Sequence, residues 1–118
     1  MKLIIAGGRD FFPEFDDFEF LETLHKNEKI TEVVSGCAKG ADSFGELWAE
    51  ENNIPVKKFP ADWKKYGRGA GHRRNKQMAD YGEALLAYWD GASSGTKSMI
   101  EYAKERGLKV YVKKYKKT

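Results

Sequence analysis

The stretch Ser35-Gly36-Cys37-Ala38-Lys39-Gly40-Ala41-Asp42 follows the apolar pair Val33 and Val34 and leads into a helical pattern. A strand that ends in small residues and turns at once into a helix aims several backbone N–H groups at one point, with the helix dipole behind them. Such a point suits a phosphate. Gly36 and Gly40 let the main chain approach a ligand closely, Ala41 keeps the helix start small, and Lys39 adds a point charge. The spacing is neither that of a P-loop nor G-x-G-x-x-G, so a tight structural turn stands beside the phosphate reading. Two more loops share its make-up: Gly7-Gly8-Arg9-Asp10, and Asp90-Gly91-Ala92-Ser93-Ser94-Gly95-Thr96-Lys97.

Around these loops the side chains divide by charge. Arg9, Lys39, Arg73, Arg74 and Lys97 can neutralise phosphate, and Ser35, Ser93 and Thr96 offer hydroxyls. Asp10, Asp42 and Asp90 can accept hydrogen bonds from ribose, bind Mg²⁺ or cap a helix, capping being the plain alternative for Asp42. The mixture suits a phosphorylated sugar or a nucleotide. No cofactor is evident beyond the Mg²⁺ that can travel with a nucleotide, and neither a metal cluster nor a Ser/His/Asp arrangement is evident. Asp42, Asp90 and Arg74 are the candidates for catalysis, with Glu46 a further carboxylate nearby in sequence.

Residues 61–75 differ in character. Glycines at 67, 69 and 71 predict a flexible loop, and six basic side chains, counting His72, give it a local charge the rest of the chain lacks. A solvated connection is the bland reading. Trp63 and Tyr66 beside the charges suggest a lid that stacks on a ligand. His72 reads as a loop residue rather than a base.

The elements that must carry these loops alternate. Residues 2–6 are apolar without polar alternation, the pattern of a strand covered on both faces. A helix follows over 13–27, with Phe15, Phe18, Leu21 and Leu24 as its apolar face and Phe11, Phe12 and Phe20 sealing the core or a ligand rim. Strands are predicted at 32–35, 54–59, 84–89 and 109–112. Further helices are predicted from 41 (Ala41, Phe44, Leu47 and Trp48 inward), from 72–75 to 80, and after the 92–97 loop, patterned by Met99, Ile100, Tyr102 and Ala103 and stopped by Gly107. Tyr88 and Trp89 belong to the core, and 113–118 is a solvated basic tail. This order predicts a single domain, a Rossmann-like three-layer α/β/α sandwich with a five-stranded parallel sheet and right-handed crossovers. Ligands bind such sheets beyond the C-terminal strand ends, where strand order reverses. With the first strand central, the three glycine-bearing loops converge there.

Composition narrows the function classes. The 118 residues suffice for one core, with aromatics at 14%. With 21 basic against 18 acidic residues, the net charge of +3 argues against a protein devoted to wrapping duplex nucleic acid. The single cysteine, Cys37, fits a reducing, cytoplasmic setting, and the N-terminal apolar run is too short for a signal peptide or membrane span.

Read together, Gly7-Gly8-Arg9-Asp10-Phe11, Val34 through Asp42, Pro60-Ala61-Asp62-Trp63, Arg74-Asn75 and Trp89-Asp90-Gly91 leading to Ser94-Gly95-Thr96-Lys97 resemble the SLOG superfamily, and within it the YspA/cpYpsA-related group. DNA-processing protein A and the Lonely-guy phosphoribohydrolases are more distant likenesses. The resemblance runs over nearly the whole chain and implies a nucleotide-derived ligand of ADP-ribose or nucleoside-phosphate type. It extends the expected ligand-binding set to Gly7, Gly8, Arg9, Asp10, Ser35, Gly36, Cys37, Lys39, Gly40, Ala41, Asp42, Arg74, Asn75, Asp90, Gly91, Ser94, Gly95, Thr96 and Lys97. Glycine is the usual residue of the family where this chain has Cys37. The Lonely-guy enzymes resemble the chain at Gly95-Thr96 but carry a glutamate slightly further on, where this chain has Lys97, Ser98 and Met99. A sensing or sequestering module is therefore expected first and N-glycosidic hydrolysis of a nucleoside phosphate second. Single-stranded nucleic-acid binding through Arg68, Arg73, Arg74 and the basic tail comes third. Homo-oligomers, common among such proteins, would use exposed aromatics of the first helix.

Overall fold

The apolar run without alternation becomes β1 (Lys2–Gly7), the central strand of the sheet. A computed structural model describes residues 1–116. In it β2 (Glu32–Ser35), β3 (Val56–Lys58), β4 (Ala84–Trp89) and β5 (Lys109–Lys114) join β1 in the order β3-β2-β1-β4-β5, every pairing parallel. Successive β1 residues point to opposite faces. Leu3 and Ile5 enter a core with Leu21 and Leu24 of α1 (Phe15–Glu28) and Phe44 and Trp48 of α2 (Ala41–Glu51). Ile4 and Ala6 enter a second core with Met78 and Ala79 of α4 (Ala70–Tyr81) and Met99 and Ile100 of α5 (Ser94–Glu105). Both faces of β1 are buried, as the missing alternation requires. This is the expected Rossmann-like α/β/α sandwich with five parallel strands.

Several features depart from the sequence reading. Residues 61–75 are largely helical: α3 (Trp63–Tyr66) and a 3₁₀ turn (Gly67–Gly69) run into α4, which starts earlier than predicted. Asp62 caps α3 by accepting the Lys65 amide at 3.1 Å, and buried Ala70 anchors the start of α4. Glycine density concealed this helix, although a Cβ at Gly69 would meet nothing within 4 Å and one at Gly71 would make only an ordinary contact with the Trp63 ring at 3.4 Å.

The predicted basic tail begins as structure. β5 continues through Lys114, and Lys113 Nζ meets Asp16 Oδ2 at 3.1 Å and Asp17 Oδ1 at 2.5 Å. The Tyr115 amide donates to Trp89 O at 3.1 Å, and its hydroxyl donates to Asp10. Positions 117 and 118 of that tail lie outside the described residues.

On α1, Phe15 is 77% exposed although it continues the three-residue spacing of Phe18, Leu21 and Leu24. At 3.6 residues per turn that spacing drifts, so Phe15 and Leu24 lie about 180° apart around the axis. Phe12, too, is exposed, while Phe11 is buried and Phe20 half-buried. On α2 the buried stripe runs through Ala41, Phe44, Gly45, Trp48 and Ala49, leaving Leu47 at its edge and exposed. The third strand is shorter than expected, three residues beginning after Pro55.

Candidate functional site

Because β1 lies between β2 and β4, the loops leaving their C-terminal ends are neighbours, and hydrogen bonds tie them together. The Gly8 amide donates to Tyr88 O at 3.1 Å, and the Ala41 amide donates to Gly8 O at 3.1 Å. From α4, the Arg74 guanidinium donates to Gly36 O, and Asn75 Nδ2 reaches Gly95 O at 3.5 Å. Between the three loops and the α3–α4 segment lies a cleft of about 570 Å³.

The first loop contributes Gly7, Gly8, Arg9 and Asp10 to its lining, and the third contributes Asp90, Ser93, Gly95 and Thr96. Arg74 and Asn75 line it from α4, and Asp42 lines it from α2. Of the other predicted residues, Ser35, Gly36, Cys37, Lys39, Gly40, Ala41, Gly91, Ser94 and Lys97 are absent from the lining. Arg73 is absent as well, its guanidinium stacked 4.0 Å from the Tyr66 ring centre.

The β2–α2 loop explains much of that division, because its polar groups are engaged within the protein. Buried Ser35 donates from Oγ to Glu46 Oε2 at 2.6 Å and accepts the Cys37 amide at 3.1 Å. Asp42 Oδ2 accepts the Ala38 amide at 3.1 Å, bridging the loop from inside the helix, while Gly40 occupies the N-cap itself. A Cβ on Gly36 would lie 2.4 Å from Arg74 Nη1, and one on Gly40 would lie 2.2 Å from Gly8 O. Both glycines admit other parts of the chain.

Buried Asp42 and half-buried Arg74 form the electrostatic centre of the cleft. Burial raises the Asp42 carboxyl above its ordinary range, against the Ala38 hydrogen bond and the Arg74 charge, which both pull it down. Burial likewise lowers Arg74, with Asp42 acting in the opposite sense. For both groups the desolvation cost exceeds the mutual attraction.

The β4–α5 loop is arranged differently. Asp90 Oδ1 accepts the Ala92 amide at 2.9 Å and the Ser93 amide at 2.7 Å, while Trp89 Nε1 donates to Ser93 O at 3.0 Å. This turn presents the N-terminus of α5 to the cleft with no acidic residue in its first turn. The amides of Ser94, Gly95 and Thr96 have no intrahelical acceptor there.

A family model described as the YspA, cpYpsA-related SLOG family matches residues 1–66. The Gene 61 protein of Mycobacterium phage D29 is 31% identical over 116 residues, 92% of this chain and 93% of its own length. The chain belongs to the YspA, cpYpsA-related SLOG family. The Uncharacterized SPbeta prophage-derived protein YoqJ of Bacillus subtilis strain 168 is 44% identical over 36 residues, 30% of this chain and 21% of its own. No solved structure matches significantly. Membership in this SLOG family points to binding or processing of a nucleotide-related ligand.

Cys37 adopts φ +66°, a left-handed conformation that favours glycine. Its exposed thiol is raised by burial of the surrounding space and by the Glu46 charge, a poor setting for a nucleophile. Asp10, Asp42 and Asp90 all line the cleft, yet among the described residues no group of three His, Cys, Asp or Glu side chains could hold a metal ion. No helix there is long and apolar enough to cross a membrane.

Several residues of the cleft wall fall outside the ligand set expected from the sequence. Trp63, Arg68 and His72 line the cleft from the segment expected to be a loop, and Ala6, Met78 and Met99 from elements expected only to fill the core. The basic-aromatic composition of 61–75 was the available signal for the first three. Nothing in the local pattern separates Met78 and Met99 from ordinary core residues.

Proposed function

We propose that the cleft binds a nucleotide or nucleotide-derived molecule of ADP-ribose or nucleoside-phosphate type, and that the protein serves as its sensor or sequestering module. The observation that carries this reading is the N-terminus of α5, with no acidic residue in its first turn, opening onto the same cleft as Arg9 and Arg74. Helix amides and guanidinium groups together favour a phosphate. Ser93 and Thr96 add hydroxyls and Arg68 another cation, while half-exposed Trp63 offers an apolar face for a base. Titration calorimetry with AMP, ADP, ADP-ribose, NAD⁺ and adenosine tests it. Saturable 1:1 binding by a phosphate-bearing compound, and little by adenosine, is expected. A folded protein that is saturated by none of them overturns the proposal.

A second reading, cleavage of an N-glycosidic bond, draws on buried Asp42. A carboxyl raised by burial can deliver a proton to a departing base. Release of free base from nucleoside monophosphates, abolished in Asp42→Asn, would favour hydrolysis over simple binding.

A further inference from the structure

The basic side chains of the α3–α4 segment differ in what holds them. The Arg73 guanidinium stacks on the Tyr66 ring, Lys65 Nζ lies 5.2 Å from the centre of that ring, and Lys76 Nζ lies 5.4 Å from that of Tyr102. Arg74 donates to Gly36 O and to Asn75 Oδ1. Arg68 lines the cleft yet makes no hydrogen bond, ion pair or ring contact among the described residues. A guanidinium on a cleft wall with its donors unused is a place for an anion.

Its place along the helix separates it from the α5 end of the cleft. Asn75 Nδ2 reaches Gly95 O at 3.5 Å, so Asn75 stands level with the α5 N-terminus. Arg68 comes two helical turns earlier, in the 3₁₀ turn that runs into α4, which sets its backbone about 10–12 Å further along the axis. That spacing returns to nearly the same side of a helix, and Arg68, His72 and Asn75 all line the cleft accordingly. Helical side chains lean toward the N-terminus, so Arg68 does not lean back toward α5. Arg9, by contrast, belongs to the α5 end, where its charge acts on both Asp42 and Arg74. Between the two levels the wall includes Trp63, whose ring lies against Gly71. A hydrogen bond of about 3 Å at each end leaves an interval nearer the width of a sugar than of one bridging oxygen.

We infer that the cleft takes two separated phosphates, one at the α5 N-terminus beside Arg9 and Arg74 and one at Arg68, so that its ligand class is a nucleoside bisphosphate. This rests on the nucleotide reading above and narrows it. Adjoining phosphates share an oxygen and sit side by side at one end of such a cleft, whereas the 5′ and 3′ phosphates of a nucleoside are held apart by its ribose. Calorimetry at about 0.15 M salt with 5′-AMP, ADP, ATP and adenosine 3′,5′-bisphosphate tests it, ATP controlling for charge without separation. The bisphosphate should bind at least about tenfold tighter than the other three, the worth of one charge-assisted contact. Arg68→Ala should remove that preference, and Lys64→Ala, at an exposed lysine of α3 outside the cleft lining, should keep it. The inference falls, and the nucleotide reading stands, if the other three bind and the bisphosphate gains nothing over them or only equals ATP. It falls equally if the preference survives Arg68→Ala or is lost as fully in Lys64→Ala. If none of the four saturates the folded protein, the inference falls and ADP-ribose and NAD⁺ decide the wider reading.

Discussion

The β2–α2 and β4–α5 loops have the same outline, a strand passing through glycine into a helix N-terminus, yet they use it in opposite ways. In the first, Asp42 sits within the opening turn of α2 and bonds the Ala38 amide, and the glycines are pressed against Gly8, Arg9 and Arg74. In the second, the opening turn of α5 carries no acid, and a Cβ on Gly91 or Gly95 would meet nothing within 4 Å. One helix dipole already faces a carboxylate. The other opens onto the cleft, with the Asp90 carboxylate held on the amides of Ala92 and Ser93 just ahead of its first turn. Glycine in a strand-to-helix turn therefore marks close approach, and only the neighbours decide whether the approaching group is the protein or a ligand.

The largest effect should come from adding a methyl group to each loop. Gly40→Ala forces a side chain onto φ +73° and into Gly8 O at 2.2 Å, which should destabilise by about 3 kcal/mol. Gly95→Ala, in an open helical position, should stabilise by about 0.5–1 kcal/mol. Chemical denaturation of both variants reads the contrast. Equal losses would mean that the two turns are packed alike.

Next in size is a change that makes the second loop resemble the first. Gly95→Asp places a carboxylate in the first turn of α5, where it complements the dipole and repels a phosphate. Affinity for the tightest phosphate-bearing compound should fall at least about tenfold while the melting temperature holds or rises. Unchanged affinity would move the phosphate away from this helix.

The same contrast explains what could be read from the chain. Parallel pairing and the alternation of strands and helices follow from residue patterns such as the unbroken 2–6 and 84–89 runs, because burial on both faces leaves a strong signature, whereas the strand order was a supposition until the fold set β1 between β2 and β4. The allotment of roles within the loops was less legible. Lys39, Arg73 and Lys97 have the right charge for the cleft but are absent from its lining, while Arg68 and His72 reach it from α3–α4. Charge is a property of composition, whereas direction depends on where a helix begins. Glycines at 67, 69 and 71 disguised that start. Likewise, Lys113 looked like part of a tail until its partners, Asp16 and Asp17, were brought beside it by the fold.

A smaller effect concerns the charge that fills the first loop. Because burial raises Asp42, its contribution to stability is fully present below the unfolded carboxylate range and is lost as pH rises through the folded value. Asp42→Asn keeps an acceptor for the Ala38 amide but removes the charge. Wild-type stability relative to this variant should therefore decline as pH is raised from about 3 toward 7. Denaturation midpoints across that range test the sign, and a relative gain for the wild type would make the Arg74 attraction the stronger influence.

The smallest effect isolates backbone conformation from everything else in that loop. Cys37 holds φ +66° with its thiol exposed, and it is absent from the cleft lining. Cys37→Gly relieves a left-handed strain of about 1–2 kcal/mol but loosens the unfolded chain by about 0.4–1 kcal/mol. The balance should be a gain of about 0.5 kcal/mol, a rise of roughly 2 °C in the melting temperature. Because Gly36 and Gly40 are packed against protein atoms while Cys37 is not, only this position of the loop should gain from glycine without any new contact. A loss on substitution would instead mean that the thiol's hydrogen bond to Ser35 O, at 3.9 Å, outweighs the strain it is held in.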